Sequence, residues 1–244
     1  MSLPPFCVRT NVLEENETPG YATFLPMEAD GETMSRAEST IVGLFIGIMC
    51  PASLFVLWWW VAAALYIYHV FSIPESGVPA AASTGLGIGI LLDIFCLKNW
   101  ITRFYSLDLK LTVLAYLFWS AVAVAFFMGL PFGNIALGTL AGLYVGRKQY
   151  HAGASENLFA GSARNVSIFT ALVTGAEAFP IGVLALGEQS VVASLRAIGL
   201  DQSLTTGLMG VGLIGVVCLA LMVVQFWCTK TAAALAFRIG KNVA

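Results

Sequence analysis

One acidic residue, Glu177, stands in the middle of a long apolar stretch, within the sequence TGAEAFP at positions 174–180. A carboxyl group at the centre of a bilayer costs about 2.5–3.5 kcal/mol on insertion scales, so it normally faces a helix bundle, a partner or water. Pro180 cannot donate to the carbonyl of Ala176, and we expect the helix to open there. A carboxyl beside a broken helix is typical of transporters, where it can bind substrate or carry protons. The alternative is a hydrogen-bonded carboxyl that holds two helices together.

Asp93 is a second acid inside an apolar stretch, four or five residues before the predicted cytoplasmic end of that stretch. From this position its carboxyl can reach the interface and pair with Lys98 or Arg103. We therefore expect an interfacial ion pair, with a role in coupling or substrate binding as the alternative.

Other residues that commonly carry catalysis are sparse. The two histidines, His69 and His151, have no second ligand at metal-binding spacing, and the five cysteines form no CxxC pair. The sequence also lacks a P-loop, a GxSxG elbow and a dinucleotide fingerprint that follows a strand. We therefore predict no metal site and no cofactor, and an intramembrane enzyme is the weakest of the functional alternatives.

The composition indicates a membrane protein. Of the 244 residues, 58% are hydrophobic and 11% are charged, whereas a soluble domain is about 25% charged. The formal net charge of −2 provides no basic field for nucleic acid. The lipid bilayer is therefore the predicted environment and partner, and a single soluble globule is excluded.

Runs without charge predict an all-α polytopic membrane protein with six transmembrane helices. The run Ile41–Phe71 carries no charge over 31 residues, and Pro51 is the place where such a long helix would bend. The run Leu111–Gly146 has 36 uncharged residues, enough for two spans around a turn near 128–133, and Asn134 is expected to cap the second of them. The bundle covers 39–229, and its predicted spans are approximately 41–71, 78–97, 111–128, 132–147, 165–187 and 204–228.

The segments outside the bundle differ in charge. Residues 1–38 hold seven of the fourteen acids and are predicted to be an irregular acidic segment, whereas residues 230–244 form a basic tail. The connector at 188–203 has apolar spacing that favours a short surface helix. The three consecutive tryptophans at 58–60 cannot share one helix face, so some of them must meet lipid or a partner.

Three glycines at four-residue spacing mark one face of the fourth span. Gly138, Gly142 and Gly146 form a smooth stripe of the small-xxx-small type, which permits close helix packing in lipid. We predict that this stripe is a helix-packing surface.

The basic residues give an orientation. With six spans, eleven of the twelve Lys and Arg residues fall on one side and Arg196 alone falls on the other. The positive-inside tendency therefore predicts that both termini are cytoplasmic, in a multi-pass protein of the plasma (inner) membrane.

Two functions fit these features. The first is a small-solute or ion transporter, channel or solute-binding component that uses Glu177 and Pro180. The second is a non-catalytic subunit of a larger membrane complex, favoured by the tryptophans, the glycine stripe and the acidic segment. A homo-oligomer or other membrane subunits are the expected protein partners, and the solute is unknown.

Overall fold

The computed structural model describes residues 34–70, 74–127, 132–188 and 207–243. Within these ranges all regular structure is helical, with a 3₁₀ turn at Phe104–Ser106. The helices are α1 (Arg36–Ile67), α2 (Gly77–Arg103), α3 (Leu109–Phe126), α4 (Phe132–His151), α5 (Glu156–Ala185) and α6 (Gly207–Val243). The predictions for residues 1–33, for the turn at 128–131 and for the surface helix in 189–203 lie outside the described residues.

Five of the described helices are long and apolar enough to cross a membrane, namely α1, α2, α3, α5 and α6. This is the composition of an integral membrane protein. The helix at the predicted fourth span, α4, is not among the five, because Arg147, Lys148 and Gln149 occupy its last turns.

Several helices extend beyond the predicted spans. α2 continues to Arg103, α5 begins at Glu156 rather than at residue 165, and α6 runs through most of the predicted basic tail to Val243. Glu38, which was assigned to the irregular acidic segment, lies in the first turn of α1, where its backbone N–H donates to Ser35 Oγ (3.2 Å). The predictions ended the helices where the apolar runs end, but backbone hydrogen bonding continues through Ala- and Ser-rich polar turns.

α1 and α2 form an antiparallel hairpin with close contacts at small residues. α1 is one unbroken helix through Pro51. Gly89 lies against the backbone of Pro51, and Gly85 lies against Trp58. The ring of Trp60 contacts Phe118 of α3 with centroids 5.9 Å apart, so part of the tryptophan surface is used within the chain.

The remaining helices pack around α4, which contacts α3, α5 and α6. Gly138, Gly142 and Gly146 are buried against α6. A Cβ at Gly138 would overlap the Gln225 amide, and one at Gly142 would overlap the Thr229 carbonyl. The stripe therefore faces a helix of the same chain.

Contacts between helix ends show that consecutive helices alternate in direction. Glu38 at the start of α1 bonds Arg147 at the end of α4 (2.6 Å). Lys241 near the end of α6 bonds Glu156 at the start of α5 (2.8 Å). We call this end of the bundle the basic end; the start of α1 and the end of α6 both lie there.

The glycine packing makes a testable prediction. Gly142→Ala should lower the free energy of unfolding by about 1–3 kcal/mol, because the new methyl group meets backbone atoms of Thr229 that cannot turn away. Gly87→Ala on α2 is the matched control, since nothing lies within 4 Å of a Cβ there. Thermal unfolding of both purified variants in detergent measures the difference, and equal stability would contradict this packing.

Candidate functional site

The Glu177 carboxyl lies at the meeting point of three helices. Its Oε2 accepts hydrogen bonds from Ser120 Oγ of α3 (2.7 Å) and from Asn134 Nδ2 of α4 (2.5 Å). Ser120 and Asn134 are fully buried, whereas Glu177 is half-buried. Two uncharged donors from neighbouring helices therefore hold the carboxyl, and no ion pair to Glu177 occurs among the described residues.

Asn134 does not have the capping role that was expected for it. It is the third residue of α4, and its side chain points inward to α5 rather than back to the start of its own helix. It lies one turn before Gly138, so it continues the face formed by the glycine stripe. The glycines bring α4 close enough for this short amide to reach Glu177.

Pro180 lies one turn beyond the carboxyl but takes no part in this cluster. It is exposed, and α5 continues through it to Ala185. The expectation of an open helix at this point was wrong. A proline removes one backbone hydrogen bond, but the bonds on either side keep the helix continuous.

The depth of Glu177 follows from its contact with α4. Asn134 and Arg147 are thirteen residues apart on that helix, which corresponds to about 20 Å. The carboxyl therefore lies about 20 Å from Arg147 along α4, near the end of that helix that is opposite to the basic end.

Asp93 lies deeper than expected and makes no ion pair within the described chain. α2 continues ten residues beyond it to Arg103, so Lys98 and Arg103 lie toward the basic end and do not pair with it. The side chain is 8% exposed, and its Oδ1 has no hydrogen-bond partner among the described residues. Asp93 also lines an open groove of about 490 Å³ between α1 and α2, together with Pro51 and Lys98. The expected interfacial ion pair is therefore absent from the described part of the chain.

A second polar cluster, at the basic end, was missed by the sequence analysis. The Glu38 carboxylate accepts from Arg147 Nη2 (2.6 Å) and from the Tyr105 hydroxyl (2.7 Å), and it lies 3.0 Å from His151 Nε2. The Tyr105 and His151 rings are in contact, with centroids 4.7 Å apart. This cluster ties the start of α1 to the end of α4, across a sequence separation that no local pattern reveals.

Lys148 lies at the same end of the bundle, in the last turn of α4. Its Nζ donates to the Leu107 carbonyl (3.0 Å) and lies 5.6 Å from the Tyr144 ring centroid. Burial lowers the pKa of Lys148, and the nearby Asp108 carboxylate partly opposes that shift. These contacts indicate that the Lys148 ammonium group stabilises the packing of the start of α3 against the end of α4.

Uncharged polar side chains fill the interface between α4, α5 and α6. Gln225, Thr229, Thr170 and Thr174 are all fully buried. Gln225 was overlooked because the spans were located from uncharged runs, and glutamine carries no charge. The available signal was a glutamine four residues before a threonine on an otherwise apolar helix.

The side chains at these sites can form hydrogen bonds and can bind protons or cations. Among the described residues, no three His, Cys, Asp or Glu side chains cluster in a way that could hold a metal ion. No protein-family model, curated protein or solved structure matches the chain.

The hydrogen bond between Asn134 and Glu177 can be tested by stability. Asn134→Ala should lower the free energy of unfolding by about 0.6–1.7 kcal/mol, the range measured for polar contacts between membrane helices. Asn99→Ala, at an exposed site on α2, should change it far less. Denaturation in mixed micelles compares the two variants. A larger effect at Asn99 than at Asn134 would count against the contact.

Proposed function

We propose that the protein is a membrane transporter or channel for an ion or a small solute, and that Glu177 is the group that binds the moving proton or cation. The observation that supports this proposal is a carboxyl inside the bundle, about 20 Å from the basic end, that has uncharged donors and, among the described residues, no cation for a partner. A carboxylate in such surroundings gains stability by binding a proton or a cation. Its half-exposed position leaves one side of the group open for that exchange.

The proposal includes six spans with α4 as the fourth. The uncharged part of α4, from Phe132 to Gly146, is about 22 Å long and crosses most of the hydrocarbon thickness before the basic residues begin. Its modest hydropathy is compatible with a span because α3, α5 and α6 surround it, so its polar residues face protein rather than lipid. The positive-inside tendency then assigns the basic end, and with it both termini, to the cytoplasm, and we propose the plasma (inner) membrane as the location.

A second candidate is a subunit of a larger membrane complex, and the feature that favours it is Asp93. A carboxyl group in the wall of an open groove between two helices is suited to a donor on the helix of another subunit or of a second copy. The glycine stripe gives this candidate less support than the sequence did, because α6 of the same chain covers it.

Replacement of the carboxyl tests the transport proposal. Glu177→Gln keeps the size of the side chain and a hydrogen-bonding oxygen, but it removes the negative charge and cannot take up and release a proton. In proteoliposomes with an imposed membrane potential, we expect at least a tenfold loss of proton or alkali-cation flux. Dyes for H⁺, Na⁺ and K⁺ inside the vesicles report the rates.

Glu156→Gln is the matched control for this experiment. Glu156 is on the same helix, but it is exposed at the basic end and pairs with Lys241. Solvent screens an exposed pair of this kind, so the variant should fold and conduct normally. Wild-type flux in Glu177→Gln, or flux from the unaltered protein no greater than in protein-free vesicles, would refute the proposal.

A further inference from the structure

A continuous line of buried polar side chains leads from Glu177 toward the basic end. We call it the polar seam, and it lies where α4, α5 and α6 meet. All of its members are fully buried, and none carries a formal charge. They are Asn134 on α4, Ser167, Thr170 and Thr174 on α5, and Gln225 and Thr229 on α6.

Helical spacing aligns these side chains along the membrane normal. On α5, Ser167, Thr170, Thr174 and Glu177 follow one another at three- or four-residue steps, so they share one face over about 15 Å. Thr170 Oγ1 lies 3.0 Å from Thr229 Oγ1, which joins α5 to α6. On α6, Gln225 is one turn from Thr229 and lies beside Gly138, the residue one turn after Asn134.

Several atoms of the seam have no hydrogen-bond partner among the described residues. Both Nε2 and Oε1 of Gln225 are in this condition, as is Oδ1 of Asn134. An unsatisfied buried polar group costs about 1–3 kcal/mol, and internal water commonly satisfies such groups. A bound water beside Gln225 would satisfy both amide atoms, which no described side chain does.

The seam is too closely packed to pass a solute. The Gln225 amide fills the space that a Cβ at Gly138 would need, and the Thr229 backbone does the same at Gly142. Alkali cations require several oxygen ligands in place of their hydration shell, as in a ring of carbonyl groups. Here the backbone carbonyls are engaged in helices, and only isolated hydroxyl and amide groups face inward.

We propose that the polar seam is a proton path, in which water bound at Gln225 connects Glu177 to the basic end. This inference rests on the proposed transport function and names its substrate as the proton. A proton taken up by the Glu177 carboxylate leaves to a water beside Asn134. It then moves by successive transfers, each of which breaks one O–H bond and forms another. The amide and hydroxyl side chains orient the water and are not themselves ionised, so nothing is oxidised or reduced.

The path has an entry at each end. Glu177 is half-buried at the outer end. At the inner end, Ser167 Oγ donates to the Ala163 carbonyl (2.7 Å), and Ala163 lines an open groove of about 460 Å³ between α5 and α6. The charged groups at this groove are Arg164 and Lys230, which are both exposed, so solvent and salt screen their repulsion of cations.

Replacement of Gln225 by leucine distinguishes a role in proton transfer from a role in packing alone. Gln225→Leu fills a similar volume and removes two unsatisfied polar atoms, so stability should be unchanged or higher. Proton flux into proteoliposomes should nevertheless fall at least tenfold. A glutamine that served only packing would give wild-type proton flux per folded protein, because leucine fills the same space.

Gln149→Leu is the matched control, because Gln149 bonds Ser162 at the basic end, outside the seam, and its flux should equal that of the wild type. Thr229→Val, which keeps the shape but loses the hydroxyl, is the second variant if Gln225→Leu does not fold, and its proton flux should also fall.

The outcomes separate this inference from the proposed function. If Gln225→Leu, or Thr229→Val in its place, conducts protons normally while Glu177→Gln does not, the path is refuted and the transport proposal stands. If Na⁺ or K⁺ moves as fast as H⁺ in the wild type, the proton assignment is refuted. If Glu177→Gln and the seam variant both conduct normally, both proposals fall.

Discussion

The approach of α4 to α6 through three glycines is the constraint on which the rest of this bundle depends. In lipid, helices associate by packing rather than by the hydrophobic effect. Close contact between helix backbones at glycine residues is therefore a main source of stability. At Gly142 and Gly146 the α4 backbone lies directly on carbonyl groups of α6. The same contact sets the rotation of α4, which turns Asn134 toward α5 and brings Arg147 to Glu38.

This close packing also gives the interior its polar character. Larger side chains along α4 would have filled the interface with hydrocarbon, but glycines leave room only for atoms that belong to α5 and α6. Those atoms include the Gln225 amide and the Thr229 hydroxyl. The bundle thus holds a carboxyl and a line of neutral polar groups in its interior. Burial of such groups in a membrane protein costs free energy, and we propose that their role is to move protons.

The sequence predicted some of these features and missed others for identifiable reasons. Uncharged runs located the long apolar helices, and the four-residue glycine spacing marked the face that meets α6. The start of α5 at Glu156 and the end of α6 at Val243 were missed. An apolar run indicates how much of a helix can lie in lipid, whereas backbone hydrogen bonding continues into polar residues. Asn134 was misread and Gln225 was overlooked, because a count of charges does not register neutral polar groups. The partner of Asn134 lies on another helix, at a sequence separation that local spacing cannot show.

The position of α4 across the membrane is the central claim, since both the carboxyl cluster and the polar seam depend on it. Sidedness can be measured with a membrane-impermeant maleimide on variants that lack the five native cysteines and carry one new cysteine, either Phe132→Cys at the first residue of α4 or Ser155→Cys after its end. We predict that the cysteine at position 155 reacts from the cytoplasmic face and the cysteine at position 132 from the opposite face. Reaction of both from the same face would contradict the account.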